Sequence, residues 1–203
     1  RGYQLLIEDG CLSASLIHFW PGNAIRVRAR QPLPVEQWVH VVMTYDGSSR
    51  ASGLAIYVDG VRADCDVVRD KLRKNITGGG ANTLDVGQRF RDRGFKNGKV
   101  DELKVFERRL TAIEVAQLHD GRSLAELLET ACDDLQPEQS RLLYDYFLHS
   151  FDPVFAAKRE ELLALRQQRS KVTDAVMEIM VMREEPDPRP TFLLKRGSYE
   201  TPD

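Results

Sequence analysis

The stretch QWVHVVMTYDGSSRASGLAIYVDG, from Gln37 to Gly60, carries the pattern that decides the fold. It begins with an apolar run led by Trp38, continues through a polar loop, and ends with a second apolar run that closes at Asp59-Gly60. Aspartate followed by glycine tolerates the positive φ that a tight hairpin turn requires. We therefore expect residues 38–46 and 54–59 to be paired or neighbouring antiparallel strands.

Around this stretch, apolar residues alternate with polar ones at a period of two. This alternation is typical of antiparallel sheets with one buried face, and short Asp-Gly, Pro-Gly and Asn-Gly turns separate the segments. The pattern predicts a two-layer antiparallel β-sandwich over residues 1–110. The alternating sets are Tyr3, Leu5 and Ile7; Leu12, Ala14 and Leu16; Ile25, Val27 and Ala29, with Arg26, Arg28 and Arg30 opposite; and Leu54, Ile56 and Val58.

The hydrophobic period changes at Leu110, where helix signals replace strand signals. Thr111 is a predicted N-cap, and Glu114 three residues later completes a capping box. We expect residues 111–175 to pack as helices beside the sandwich. Two prolines suit the first turns of later helices; they are Pro137 and Pro153.

Beyond the helices, the chain is predicted to be extended again. Met177–Met182 and Thr191–Arg196 are expected to be strands of a following domain, and the proline-rich EEPDPRP between them an irregular linker. Strands without partners at a sheet edge template pairing with other chains. We therefore expect this part of the fragment to be weakly ordered or prone to association.

The charge distribution argues against some functions. The 203 residues carry a net charge of −2, which divides into +5 over residues 1–110 (18 Lys/Arg, 13 Asp/Glu) and −7 over residues 111–203 (11 Lys/Arg, 18 Asp/Glu). A surplus this small does not predict binding to nucleic acid. The chain has no apolar run of about 18 residues, so we expect no membrane span in this segment.

The cysteines and histidines show no metal-binding spacing. Cys11, Cys65 and Cys132 are far apart and form no Cys-x-x-Cys, which argues against a zinc ribbon or a c-type haem attachment in this segment and leaves their disulfide status open. The four histidines form neither His-x-His nor His-Glu-x-x-His. We interpret His40, inside the strand led by Trp38, as a packed sheet histidine.

Two segments carry a resemblance to a known family. WVHVVMTYDG and LAIYVDG, within residues 38–60, resemble the centre of a laminin-G-like, concanavalin A-like jelly-roll domain. GKVDELKVFERRLTAIEVAQL, residues 98–118, resembles the strand and short helix with which that family closes. The resemblance covers residues 1–120. It implies a mainly β fold: an antiparallel jelly-roll β-sandwich, N-terminally truncated because the family's early strands would precede Arg1, followed by an α-helical segment.

A narrower resemblance concerns RGYQLLIEDG, LIHFWPGNAIRVRA and RFRDRGFKNG, which are similar to the version of this domain in large planctomycete-type, cytochrome-associated surface proteins. VMREEPDPRPTFLLKRGSYETPD, residues 181–203, is similar to the opening of the C-terminal family of those proteins. The resemblance implies a sandwich over residues 1–120, a helical linker over 121–175 and the start of a C-terminal domain of unknown function over 176–203. It also implies an extracytoplasmic location, periplasmic or at the cell surface, with neighbouring domains of the same full-length chain as partners. The fragment itself shows no signal peptide.

The predicted closing strand contains adjacent carboxylates. Asp101 and Glu102 point to opposite faces of a strand, whereas a retaining glycosidase needs two carboxyl groups about 5 Å apart on one substrate. The Glu-x-Asp-x-Glu arrangement of related jelly-roll glucanases is missing, so the sequence favours a protein that is not an enzyme. Asp101 shares a predicted core face with Leu103 and Val105. It is either a calcium ligand, the one cofactor that the resemblance implies, or a carboxylate that binds loop amides.

The predicted ligand-binding residues combine aromatic rings with polar and basic side chains. Aromatic faces pack against the C–H surfaces of sugars, and guanidinium groups bind carboxylate or sulfate in two-pronged fashion. The sequence therefore favours a non-catalytic, lectin-like module that binds a glycan, acidic or sulfated. Two alternatives stay open: a solvated sheet face with a tryptophan filling the sandwich end, and a structural spacer that binds no sugar. The residues are His18, Trp20 and Asn23 near the Pro21-Gly22 turn, and Arg89, Arg91, Arg93 and Phe95 in a later loop.

Overall fold

Strands of two antiparallel sheets make up the N-terminal part of the protein in a computed structural model, which describes residues 1–78, 84–88, 94, 97–179 and 181. The strands are β1 (Gly2–Glu8), β2 (Cys11–Phe19), β3 (Asn23–Pro32), β4 (Val41–Tyr45), β5 (Leu54–Val58), β6 (Val61–Arg62) and β7 (Cys65–Asp70). One sheet has the order β1-β2-β3-β7 and the other β4-β5-β6, and all neighbouring pairs within each sheet are antiparallel. This arrangement confirms the predicted antiparallel sandwich.

The stretch from Gln37 to Gly60 forms the predicted strand pair. Strand β4 is antiparallel to β5, with Val41 opposite Val58 and Tyr45 opposite Leu54. The strand begins at Val41 and not at Trp38, because Val41 is the first residue with a partner on β5. Trp38 is 66% exposed ahead of the strand. The prediction that His40 lies within the strand is wrong for the same reason.

Helices follow the sandwich, as the change of period predicted. They are α1 (Ala112–Asp120), α2 (Ser123–Glu129), α3 (Pro137–Ser150) and α4 (Pro153–Ala175). Both predicted prolines occupy first-turn positions, where the missing N–H group is unneeded. Helices α3 and α4 meet through aromatic rings, since the His149 and Phe155 centroids are 4.7 Å apart. Phe151, which follows the last residue of α3, packs against Tyr146 with the centroids 5.7 Å apart.

The core lies between the two sheets and continues onto the far side of β5. Ile25 and Ile56, from opposite sheets, are fully buried in the same cluster, and burying such a side chain contributes about 1.5–3 kcal/mol. The alternate residues of β5 are buried too: Tyr57 packs with Leu110 and Val115 in a second cluster against α1. Strand β5 is therefore covered on both faces. The first helix is part of the sandwich and not an appendage to it.

Strand β1 continues the core face but is not covered. Tyr3, Leu5 and Ile7 share one face as predicted, and the register places Leu5 opposite Ala14 of the buried row of β2. Even so, the three side chains are 53%, 39% and 48% exposed. Within the described residues, the second sheet has only β4, β5 and β6, and it leaves β1 at the edge of the other sheet open to solvent.

The predicted closing strand is absent from residues 97–110, all of which are described. Glu102 has φ of 50°, which a strand cannot accommodate. Leu103 and Val105 are 60% and 71% exposed, so the expectation that they share a core face with Asp101 is wrong. A strand needs a hydrogen-bonded neighbour to satisfy its backbone groups, and neither of the two described sheets includes this segment.

Candidate functional site

The turn between β2 and β3 carries the exposed aromatic ring of Trp20. The guanidinium carbon of Arg26 lies 4.2 Å from the ring centroid, a distance at which a cation is attracted to the electron-rich face. The Nε group of Arg26 donates to Ser15 Oγ at 2.9 Å, and Nη1 lies 3.3 Å from Glu8 Oε1. Three neighbouring strands thus hold the guanidinium in place. The ring remains 39% exposed on this support.

The other arginines of β3 are also paired. Arg28 Nη2 lies 3.2 Å from Asp9 Oδ2, and Arg30 Nε donates to Asp66 Oδ1 at 2.8 Å. The hydrogen bond and charge of Asp66 raise the pKa of Arg30 above its ordinary value. Each arginine of the row opposite the core face therefore has a carboxylate partner on a neighbouring element. The row is not a free basic surface, which agrees with the alternative of a solvated sheet face.

His18 and Asn23 contact a loop of the chain. The His18 Nδ1 atom lies 2.6 Å from Asn75 O. Asn23 is 2% exposed; its Oδ1 accepts from the backbone N–H groups of Arg73 and Lys74 at 2.8 and 3.3 Å, and its Nδ2 donates to Glu178 Oε1 at 3.0 Å. The structure therefore separates the predicted set: Trp20 stacks on Arg26, whereas His18 and Asn23 hold the loop.

The remaining predicted residues are placed as follows. Arg89, Arg91, Arg93 and Phe95 lie outside the described residues, so their part in the site stays a prediction. Asp101 is exposed, and its Oδ1 accepts the Glu102 N–H at 2.8 Å, an interaction of the loop-amide kind. In the part of the chain that is described, no three His, Cys, Asp or Glu side chains are grouped to hold a metal ion. The role of Asp101 as a calcium ligand stays a prediction.

A histidine cluster that the sequence did not reveal joins the β5–β6 turn to α1. The backbone N–H of His40 donates to Asp59 Oδ1 at 2.9 Å, and His119 Nδ1 lies 4.0 Å from the same oxygen. The two imidazole centroids are 5.6 Å apart. Burial, together with the charge of His119, lowers the pKa of His40. The Asp59-Gly60 turn was a visible signal, but nothing local pairs it with a residue of α1.

A cleft of about 370 Å³ opens between β7 and the second sheet. Its floor is apolar, with Val27 and Leu54, and Arg62 and Asp64 also line it. Cys65 also lines the cleft, and burial raises the pKa of its thiol. The volume is at the lower end of the range for small-molecule sites. All three cysteines are free: Cys11 and Cys65 are half-buried, and Cys132 is exposed.

The sandwich and α1 match a known family. A laminin G-type family model, described as the concanavalin A-like lectin/glucanases superfamily, matches residues 2–116, which is more than half of the chain. No curated protein matches. Among solved structures, the chain is similar to an S-layer domain-containing protein (residues 221–444) from Clostridium thermocellum, at 16% identity and a TM-score of 0.29. The match covers 59% of this chain and 64% of that one, less than two thirds.

None of the helices in the described ranges combines the length and the apolar character that crossing a membrane requires.

Proposed function

The chain belongs to the concanavalin A-like lectin/glucanases superfamily, and from this premise we propose that it is a non-catalytic carbohydrate-binding module of a larger extracytoplasmic bacterial protein. The name of the superfamily covers both binding and hydrolysis, so membership alone does not decide between them. The observation that carries the proposal is the Trp20 ring, which is held over Arg26 at 4.2 Å and remains partly exposed at a turn.

The Trp20 surface has the chemistry of a sugar platform. An indole ring offers an apolar face to the C–H side of a pyranose, and its rigidity lowers the entropy lost on binding. Arg26 is already fixed by Ser15 and Glu8, so it loses little further freedom when a ligand approaches. In the predicted site, we expect the positive charge that attracts an acidic or sulfated glycan to come from Arg89, Arg91 and Arg93 and not from β3, because the arginines of β3 already have carboxylate partners.

Binding without catalysis is favoured by the carboxylates of the described residues. Glu8 is ion-paired with Arg26, and Glu102 is ion-paired with Lys104 at 3.1 Å. Asp101 is bonded to the neighbouring amide group. Glycoside hydrolysis needs one protonated and one ionised carboxyl group facing each other across a substrate. These three carboxylates instead contact basic side chains and an amide group in the described part of the chain.

The test is binding to an array of neutral and sulfated glycans at two salt concentrations. We expect Trp20→Ala to weaken binding about tenfold or more, as loss of a stacked aromatic anchor does. Trp38→Ala is the matched control because Trp38 is more exposed, at 66%, and it should leave affinity unchanged. Arg91→Ala with Arg93→Ala should weaken binding to sulfated glycans most, and more at low salt. Equal effects of the two tryptophan changes would contradict the proposal.

A second candidate function is that of a spacer between neighbouring domains. The observation that favours it is α4, whose 23 residues span about 34 Å. Arg166 of this helix donates to Asp46 O of the sandwich at 2.8 Å. If the full-length protein binds no glycan on the array, the spacer function replaces the lectin function. Calcium remains a separate proposal, tested by calorimetric titration of the chain and of Asp101→Asn.

A further inference from the structure

The loop that holds Asn23 carries a cluster of positive charge. Lys71, Arg73 and Lys74 follow β7 within four positions, and the side chains of Lys71 and Arg73 have no described carboxylate within ion-pair distance. Both are exposed. We call residues 71–75 the basic loop. Leu72 anchors the loop, because its side chain is buried in the sandwich core with only 8% of the residue exposed.

The chain's own carboxylates accept hydrogen bonds from one donor on this loop and from one on the neighbouring Asn23. Asp174 Oδ1 accepts the backbone N–H of Asn75 at 2.9 Å, and Glu178 Oε1 accepts from Asn23 Nδ2 at 3.0 Å. Lys74 Nζ donates to the carbonyl of Val176, and the Thr173 hydroxyl donates to Arg73 O at 3.2 Å. We call residues 173–178 the acidic strap. Asp174 and Glu178 are both exposed, so the strap lies over the loop at the surface.

We propose that the basic loop and Asn23 form a binding site for the carboxylate or sulfate groups of an acidic glycan, and that the acidic strap occupies this site until such a ligand displaces it. Groups that donate hydrogen bonds to internal carboxylates in this geometry can also donate to the oxygens of a sulfate or uronate group. Lys71 and Arg73 supply charge that the strap does not neutralise. The inference rests on the proposed function and adds to it a contact site for the anionic groups and an internal competitor for that site.

The physical reason for exchange is competition between weak contacts. Surface hydrogen bonds and ion pairs of this kind contribute little each because solvent screens them. A ligand with several anionic groups binds Lys71 and Arg73, and it also accepts from the Asn23 and Asn75 donors once the strap is displaced. It therefore gains contacts that the two strap carboxylates do not make. A ligand with no charge has no such advantage and leaves the strap in place.

The experiment compares variants of the chain by calorimetric binding of a heparin-derived octasaccharide and of a neutral dextran oligosaccharide. The strap variant is Asp174→Asn with Glu178→Gln. The matched control is Glu129→Gln with Glu160→Gln, which removes the same charge from exposed positions. We expect the strap variant to bind the octasaccharide about 3- to 30-fold more tightly than the unmodified chain, as loss of two competing contacts predicts. The control and dextran should show no such change.

A further variant and a second readout separate this site from the lectin function. Lys71→Ala with Arg73→Ala should abolish the gain of the strap variant.

Inorganic sulfate alone, at constant ionic strength, should shift the Asn75 amide resonance in the unmodified chain. If glycans bind through Trp20 but the strap variant gains nothing, the anion site is refuted and the lectin function survives. If sulfate shifts Asn75 while no glycan binds, the anion site stands and the lectin function fails. An unmoved Asn75 resonance overturns the site.

Discussion

Gly60 determines how closely helix α1 approaches the β5–β6 turn. Its φ is +80°, and a Cβ atom there would lie 3.2 Å from Ala116 Cα and 3.3 Å from His119 Cβ. We expect Gly60→Ala to destabilise the fold by about 2–4 kcal/mol, because positive φ costs about 1 kcal/mol for alanine and the backbone of α1 must also move. The measurement is urea unfolding followed by circular dichroism.

Gly121→Ala is the control for the cost of positive φ alone, without a close contact. Gly121 has φ of +74°, and nothing lies within 4 Å of the position that a methyl group would take there, so the change should cost only about 1 kcal/mol. If the two variants lose the same stability, the close contact between the turn and α1 has no energetic role.

His40 gives stability a dependence on pH. Burial and then His119 lower its pKa below 6.5, and Asp59, Lys104 and Glu102 also act on it. As the pH falls below the ordinary histidine pKa of 6.5, His40 takes up a proton in the unfolded chain before it does so in the folded chain. The free energy of unfolding is therefore highest above pH 6.5 and decreases as the pH drops. We expect the urea midpoint to decrease between pH 7.5 and pH 5, and His40→Gln to flatten that decrease.

His149→Gln is the matched change on α3, where the imidazole contacts Asp145 and Phe155 and none of the His40 group. Comparing the two variants separates the effect of the His40 group from that of replacing an imidazole elsewhere in the chain. A profile that is equally steep in His40→Gln would show that other groups carry the pH dependence.

Among the elements, α1 begins with a buried capping residue that makes two hydrogen bonds to Glu114. Thr111 is 1% exposed, and its backbone N–H and hydroxyl both donate to Glu114 Oε2, at 2.8 and 2.9 Å. Burial alone would raise the pKa of Glu114, but hydrogen bonds from Arg108 and Thr111 give a net lowering. We expect Thr111→Ala to reduce the free energy of unfolding by about 1–2 kcal/mol, measured by urea unfolding.

The capping box of α3 provides the comparison. Gln136 makes the same motif with Gln139 but is exposed, so Gln136→Ala should change stability by less than about 0.5 kcal/mol. Equal losses at the two helices would mean that burial of the Thr111 cap does not matter.

Elements whose signals are local could be predicted from the sequence, and elements that depend on distant partners could not. The rows on β2, β3 and β5 and the cap at Thr111 were confirmed because alternation and capping act over a few residues. Burial of Tyr57 was missed, since it depends on α1. The prediction of a closing strand was wrong because Leu103 and Val105 alternate like a strand face in the sequence, yet neither described sheet includes them.

The same division applies to the candidate site. Trp20 and Asn23 both flank the Pro21-Gly22 turn in the sequence, and the structure keeps them on that turn. The Trp20 ring packs against Arg26 and stays partly exposed. The Asn23 amide is buried and donates to Glu178. Sequence spacing could not distinguish these outcomes, because Glu178 is 155 residues from Asn23 along the chain.

In the whole molecule, stability is expected to be unequal between the sandwich and the later helices. Helix α1 has Val115 fully buried against β5, whereas α3 and α4 have no buried residue. Helices without buried faces are marginal on their own. We predict that amides of α1 and β5 exchange with solvent together, and that those of α4 exchange at least about tenfold faster, as measured by hydrogen–deuterium exchange.

Val115→Ala tests whether α1 and β5 form one cooperative unit. Removing two buried methyl groups should destabilise by about 2 kcal/mol and accelerate exchange in both elements equally. Faster exchange in α1 alone would instead assign the helix to the C-terminal part of the chain and contradict the boundary at residue 120.

The graded accessibility of the three thiols has a practical consequence. Maleimide reagents attack thiolates, so exposure and a low pKa both speed the reaction. Cys132 is exposed on the short turn Cys132–Asp134, whereas the buried environment of Cys65 raises its pKa. A brief, substoichiometric treatment near neutral pH should therefore attach a dye or a biotin tether at Cys132 first. The natural chain can thus be immobilised in one orientation, through an element different from the turn that presents Trp20.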